Sequence, residues 1–215
     1  MTAMTCILTS NLCAQNAVFA PIGEPLEIAS NSYGNKAIRM VMNAASEPVI
    51  AFGSSGHLYV AQWDADADAF ATPVEIDAAS NVFMSDAEGP TMASQGDYLV
   101  LTYQLSGEWE DGARSVHSTD GGATWSEPVA MVAGVTEDHF MPCVGIDGDG
   151  NPFAGVKVGN DVSSIYEGIL RSNDGGASWL PAVNASELAD GNAMCECCPS
   201  LPFYAENRYY DLVRN

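Results

Sequence analysis

The octapeptide Ser118-Thr-Asp-Gly-Gly-Ala-Thr-Trp125 returns as Ser172-Asn-Asp-Gly-Gly-Ala-Ser-Trp179, 54 residues further along the 215-residue chain. Self-similarity at a fixed period marks an architecture of stacked units rather than one isolated core. Each copy reads as a tight hairpin. Gly-Gly supplies positive φ, the Asp carboxylate accepts hydrogen bonds from turn N–H groups, and the Trp is a large apolar plug.

Working outward, a fainter copy lies upstream: Phe70-Ala-Thr-Pro-Val74 parallels Trp125-Ser-Glu-Pro-Val129, with Trp179-Leu-Pro-Ala-Val183 next in line. Its lead-in, Trp63-Asp-Ala-Asp-Ala-Asp-Ala69, has acidic turn residues without the Gly-Gly. Ahead of each copy comes a short apolar run rich in β-formers: Pro48 to Phe52, Tyr98 to Tyr103, Phe153 to Val158, and later Tyr209 to Val213. The first three runs lead to more polar strands, His57 to Gln62, Ala113 to His117 and Gly168 to Arg171. Turn-like stretches precede the runs, at Asn43 to Glu47, Ser94 to Asp97, Asp147 to Asn151 and Tyr204 to Arg208. Four strands per unit predict a propeller blade. No window carries sustained helical spacing.

The pattern Ser-x-Asp-Gly-Gly-x-Thr/Ser-Trp resembles the Asp-box, or BNR repeat, of sialidase-like β-propellers. The resemblance makes Ser118, Asp120, Gly122 and Trp125, and their counterparts Ser172, Asp174, Gly176 and Trp179, structural hairpin residues. It implies an all-β, sialidase-like β-propeller, with about three and a half four-stranded blades of a six-bladed ring. The expected blades are 35–75, 76–130, 131–184 and an incomplete 185–215, after a segment 1–34 read as an eroded signal peptide. A truncated ring is the reading; a partner chain completing the propeller is its alternative.

Acidic residues outnumber basic ones 28 to seven, for a net charge of −21. Such a surface repels nucleic acid and anionic membranes, which excludes both as partners, and it suits an exported protein kept soluble by self-repulsion. No apolar run is long enough to insert into a membrane. Residues 1–20 contain no Lys or Arg, so a basic signal region is missing, and the extracytoplasmic placement rests on the resemblance.

In a four-stranded blade the loops alternate between two ends. The Asp-box hairpins share one end with the turns joining first and second strands. Links between blades, and turns joining second and third strands, gather at the other end around the central channel, where propellers of the resembled family place their ligand sites. The links carry soft ligands: His139, Met141 and Cys143 in one, and Cys195, Cys197 and Cys198 in the next, with Met84, Asp86 and Glu88 in the first. Brought together, these residues predict either a copper or zinc site or a disulfide from Cys143 to Cys195 or Cys198. Ordinary buried thiols are the third reading. The Cys195-x-Cys-Cys-Pro199 run also resembles a variant among BNR-repeat proteins. Asp147-Gly-Asp-Gly-Asn151 looks like a calcium loop, but it falls at a first-to-second strand turn and lacks a distal Glu, so a plain hairpin is expected.

Sialidases hold their substrate carboxylate with three arginines. Arg39, in Ile38-Arg39-Met40-Val41, occupies the place of the first, whereas Arg114 and Arg171 fall on third strands. The expected function is a non-catalytic module binding carbohydrate or a metal at the link end. The alternative is a fragment of an exo-sialidase-type glycoside hydrolase with Arg39 as carboxylate binder.

Overall fold

The computed structural model describes residue 28 and residues 35–78, 81–85, 88–161, 163–185 and 198–213. Among the described residues every element is a β-strand, and all pairing is antiparallel. The first sheet contains β1 (Lys36–Met42), β2 (Pro48–Ser54), β3 (His57–Asp64) and an outer strand in two pieces, β4 (Ala69–Phe70) and β5 (Val74–Ile76). The second is β6 (Thr91–Gln95), β7 (Tyr98–Gln104), β8 (Ala113–Ser118) and β9 (Val129–Ala130). The third is β10 (His139–Ile146), β11 (Pro152–Val158), β12 (Tyr166–Arg171) and β13 (Val183–Asn184). A two-stranded sheet, β14 (Leu201–Ala205) with β15 (Arg208–Leu212), follows.

First strands β1, β6, β10 and β14 are successive neighbours, so the sheets fan from a common axis. This is the arrangement the 54-residue repeat predicts: a β-propeller of three and a half blades. Second strands β2, β7 and β11 are buried along nearly their whole length. Sheets covered on both faces demand unbroken apolar runs, which is why these segments stood out in sequence.

The apolar seam between the first two blades joins Val49, Ala51, Leu58 and Val60 to Leu99, Leu101, Tyr103 and Val116, with Trp125 packed against it. The second seam brings Ala154, Val156, Val158 and Leu170 against Ala113, Met131 and Val132, and Trp179 covers it. At ~25 cal/mol per Å² of apolar area, burying such side chains contributes roughly 1.5–3 kcal/mol each. The outward faces stay uncovered: Ile38, Met40 and Met42 on the first blade, and Leu201, Phe203 and Leu212 on the last, are exposed.

Both Gly-Gly hairpins close by the same set of bonds. Ser118 Oγ donates to Asp120 Oδ1 at 2.8 Å and accepts from Gly122 N at 2.9 Å, while Thr124 donates its N–H and hydroxyl to Asp120 at 2.9 and 2.6 Å. Ser172, Asp174, Gly176 and Ser178 repeat these contacts at 2.7, 2.8, 2.9 and 2.5 Å. Gly122 and Gly176 have φ of 97° and 86°, which glycine adopts without strain. In the first blade Asp64 Oδ1 accepts from Asp66 N and Ala67 N at 3.0 and 3.1 Å, a simpler turn doing the same job. The Asp147 loop is a hairpin of that simpler kind: Oδ1 accepts from Asp149 N and Asn151 N, and Oδ2 accepts from Tyr209 OH at 2.9 Å.

Candidate ligand cleft

Strand direction fixes what meets at the link end. β7 finishes there at Gln104, β8 sets out at Ala113, and β6 and β10 start there at Thr91 and His139. The turn from β7 to β8 carries Gly107-Glu-Trp-Glu-Asp-Gly112 and is pinned on both flanks. Leu105 N donates to Gly112 O at 2.9 Å, and His139 N donates to Trp109 O at 2.7 Å. Gly112 is required for closure, because a Cβ there would fall 1.8 Å from Glu108 O.

The clamped turn presents Trp109 with 39% of its surface exposed. Its indole is wedged edge-on between Phe83 and Phe140, with ring centroids at 5.2 and 6.4 Å. Beside it runs a narrow cleft lined by Phe83, Glu88, Gly89, Gln104, Trp109, Met141 and Pro142. Gln104 is 5% exposed. Its Nε2 donates to Glu108 O at 2.7 Å, which fixes the amide orientation and leaves Oε1 buried with no hydrogen-bond partner. Burial raises the Glu88 carboxyl above the ordinary carboxylate value. The cleft itself is a slot of about 10 Å³, room for about one water, and the accessible feature beside it is the indole face of Trp109. Sequence reasoning had Met141 and Glu88 in view and missed Trp109, Gln104 and Phe83. The available signal was a tryptophan bracketed by acids and glycines in a second-to-third strand turn.

The soft-ligand constellation is not assembled as expected. Met141 has φ of 56° at a bulge between Phe140 and Cys143, and the bulge reverses the alternation of β10. His139 pairs with Val158, on the face turned to the second blade; Cys143 pairs with Gly155, on the face turned to the fourth. His139 and Cys143 therefore lie on opposite faces of one sheet, correcting the expectation that they converge. His139 is buried, with Nδ1 2.8 Å from Glu137 O. Cys143 is a buried thiol with no disulfide to Cys198, which sits half-buried ahead of β14. Cys195 and Cys197 lie outside the described residues. Among the described residues no group of three or more His, Cys, Asp and Glu side chains is set to hold a metal ion.

Cys143 instead belongs to a polar seam between the third and fourth blades. Lys157 and Glu167, each 1% exposed, form an ion pair at 2.6 Å on adjoining strands. Above Gly155 the oxygens of Asp211, Ser200 and Glu167 converge so closely that a Cβ would lie 2.4, 2.4 and 2.7 Å from them. Burial first, then the Glu167 carboxylate, pushes the Asp211 carboxyl up to about 8. Burial, reinforced by Asp211 and Glu167, likewise pushes the Cys143 thiol up to about 12 and leaves it unreactive. Arg39 on β1 is half-buried, bonds Ile38 O at 3.0 Å, and lies near enough to Cys143 to oppose that rise. The third-strand arginines are engaged: Arg114 bonds Asp111 O, and Arg171 lies 5.8 Å over the Tyr209 ring.

No family profile matches the sequence, and no curated protein matches it. Solved structures do match. An α-L-arabinanase from Penicillium chrysogenum, complexed with arabinobiose, superposes with TM-score 0.50 at 14% identity, over 83% of this chain and 58% of that one. A protein of unknown function from Dyadobacter fermentans gives 0.50 at 12%, over 82% and 49%. A Hadza microbial sialidase gives 0.48 at 12%, over 67% and 36%. The chain thus spans between 36% and 58% of these proteins' lengths. What it shares with the arabinanase and the Dyadobacter fermentans protein, at such identities, is the β-propeller fold.

Proposed function

We propose that this chain is part of an extracytoplasmic carbohydrate-binding β-propeller whose glycan surface is the link end around the exposed face of Trp109, with the two Gly-Gly hairpins as Asp-boxes that hold blades shut at the opposite end. Trp109 is the stacking platform, and the partly exposed Glu88 carboxyl accepts hydrogen bonds from sugar hydroxyls. One observation carries the reading: a half-exposed indole braced by two aromatic rings stands at the link end on a turn pinned at both flanks. Sugars bind through stacking on such faces together with a few fixed polar groups. That the arabinanase of similar fold is complexed with arabinobiose is consistent with this assignment.

Binding is proposed rather than hydrolysis for this part of the propeller. The carboxyls of the polar seam are buried beside Lys157, and Arg39, the arginine placed for a carboxylate clamp, bonds the neighbouring Ile38 O. Titration calorimetry of the intact chain against a panel of neutral, amino and acidic oligosaccharides tests the reading. At least one glycan binds, and Trp109→Ala loses that binding while keeping its far-UV circular dichroism. Binding unchanged in Trp109→Ala contradicts it.

A further inference from the structure

We infer that the groove between the third blade and β15 docks an extended β-strand followed by a tryptophan, a partner built like the strand-and-hairpin units this chain repeats. The groove holds about 440 Å³, and Ile169, Val183, Ala185, Tyr209, Tyr210 and Asp211 are among its lining residues. Its volume is that of a ligand site, and its walls are mostly apolar.

The same place is filled twice elsewhere in the molecule. Ile169 pairs with Val183 as Ser115 pairs with Val129 one repeat earlier, so the two pairs are equivalent. Trp179 covers the earlier pair: its Nε1 donates to Ser115 Oγ at 2.9 Å, and Ser115 is 1% exposed. Leu170, opposite Ala154 on β11, packs into that seam as well. In the seam before it, Val116, opposite Leu101, and Trp125 take these two roles. Val183, by contrast, is 59% exposed.

The backbone edge agrees with the side chains. β2, β7 and β11 each pair with a third strand, whereas among the described residues β15 pairs with β14 alone. Its other edge is a template for one more antiparallel strand. The Ala205–Arg208 turn matches Gln95–Tyr98, which aligns Asp211 with Leu101. The incoming strand therefore carries an aliphatic residue opposite Asp211, and its tryptophan, set beyond a hairpin, closes over Ile169. A second copy fits poorly. Antiparallel pairing of two β15 edges would bring both third blades onto one side of the shared sheet, and the third strands of a folded copy are already paired within their own blades.

The test adds a labelled synthetic peptide, residues 166–180 of this chain, to the intact protein and follows fluorescence anisotropy and hydrogen exchange. Saturable binding with new protection over 208–212 is expected. In the peptide, Leu170→Asp and Trp179→Ala should each weaken binding about tenfold or more. In the protein, Val183→Asp should do the same without moving the unfolding midpoint, because that side chain is exposed. A scrambled peptide that binds as well, an affinity untouched by Val183→Asp, or no binding by folded protein at millimolar peptide overturns the proposal. Self-association of the peptide-free protein with protection over 208–212 overturns it too, by giving the groove to a second copy.

Discussion

The two ends of this propeller use the same residue types in opposite ways. At the hairpin end Asp120 and Asp174 each accept several short hydrogen bonds from their own turn, and hydroxyls of Ser178 and Ser172 hold the exposed Asp174 carboxyl down at about 2. His117 Nδ1 is the exception there, buried without a partner. At the link end Gln104 Oε1 has no partner, Glu88 is raised by burial, and Asp211 is pushed up to about 8 against Glu167. Polar groups that satisfy one another close a turn and do nothing further. Polar groups left open or strained against like charge are where binding or titration can happen.

The register makes the contrast sharper. Gln104 pairs with Ala113 and Lys157 with Glu167, and Ala113 and Glu167 are one 54-residue repeat apart, so Gln104 and Lys157 fill the same slot in successive blades. In the second blade the slot opens to a cleft; in the third it is sealed by the incoming β15.

Lys157→Met should break the sealed slot most severely. It strands Glu167 in a buried site beside Asp211, at a cost of about 3–5 kcal/mol, whereas Lys157→Met with Glu167→Leu should recover most of that loss. Urea unfolding midpoints decide between the two outcomes. A next test separates the ends by the sign of their pH dependence. Asp211 is raised in the folded state, so its contribution is full below the ordinary carboxylate value near 3.8 and is lost as pH rises through about 8. Asp174 is depressed, so its contribution is present above that same ordinary value and is lost as pH falls toward about 2. Asp211→Asn should flatten the alkaline limb of the stability profile and Asp174→Asn the acid limb. An exchange of those effects would contradict the assignment.

Smaller effects follow at single hydrogen bonds. Ser172→Ala removes the acceptor for Gly176 N from a buried position and should cost about 1–2 kcal/mol in thermal or denaturant unfolding. Trp109→Ala should cost about 1–3 kcal/mol, from the part of the indole packed on Phe83 and Phe140, and should also remove ligand binding. Stability lost with ligand binding retained would make the indole a packing residue instead of a platform.

The fold was legible because its signals are local. A repeated turn sequence specifies a hairpin by itself, and runs such as Tyr98 to Tyr103 are apolar because both faces of their strand are covered. The site was legible in part: placing the links at one end followed from strand alternation, and Glu88 and Met141 lie in the cleft. The rest was hidden in pairings that no window contains. The Met141 bulge turns His139 and Cys143 to opposite faces, and a strict two-residue period cannot foresee that. Lys157 and Glu167 are ten residues apart in sequence and meet only through the β11–β12 register, and Asp211 joins them from the next blade. Trp109 acquires its setting only from Phe83 and Phe140, which close on it from two different links.

Hydrogen–deuterium exchange with and without bound oligosaccharide tests the central claim most directly, since it reads both ends of the molecule at once. Protection confined to segments 81–89, 104–112 and 139–142 is the predicted footprint. Protection over 118–125 and 172–179, with those link-end segments unchanged, would place the ligand on the closed turns and contradict the account.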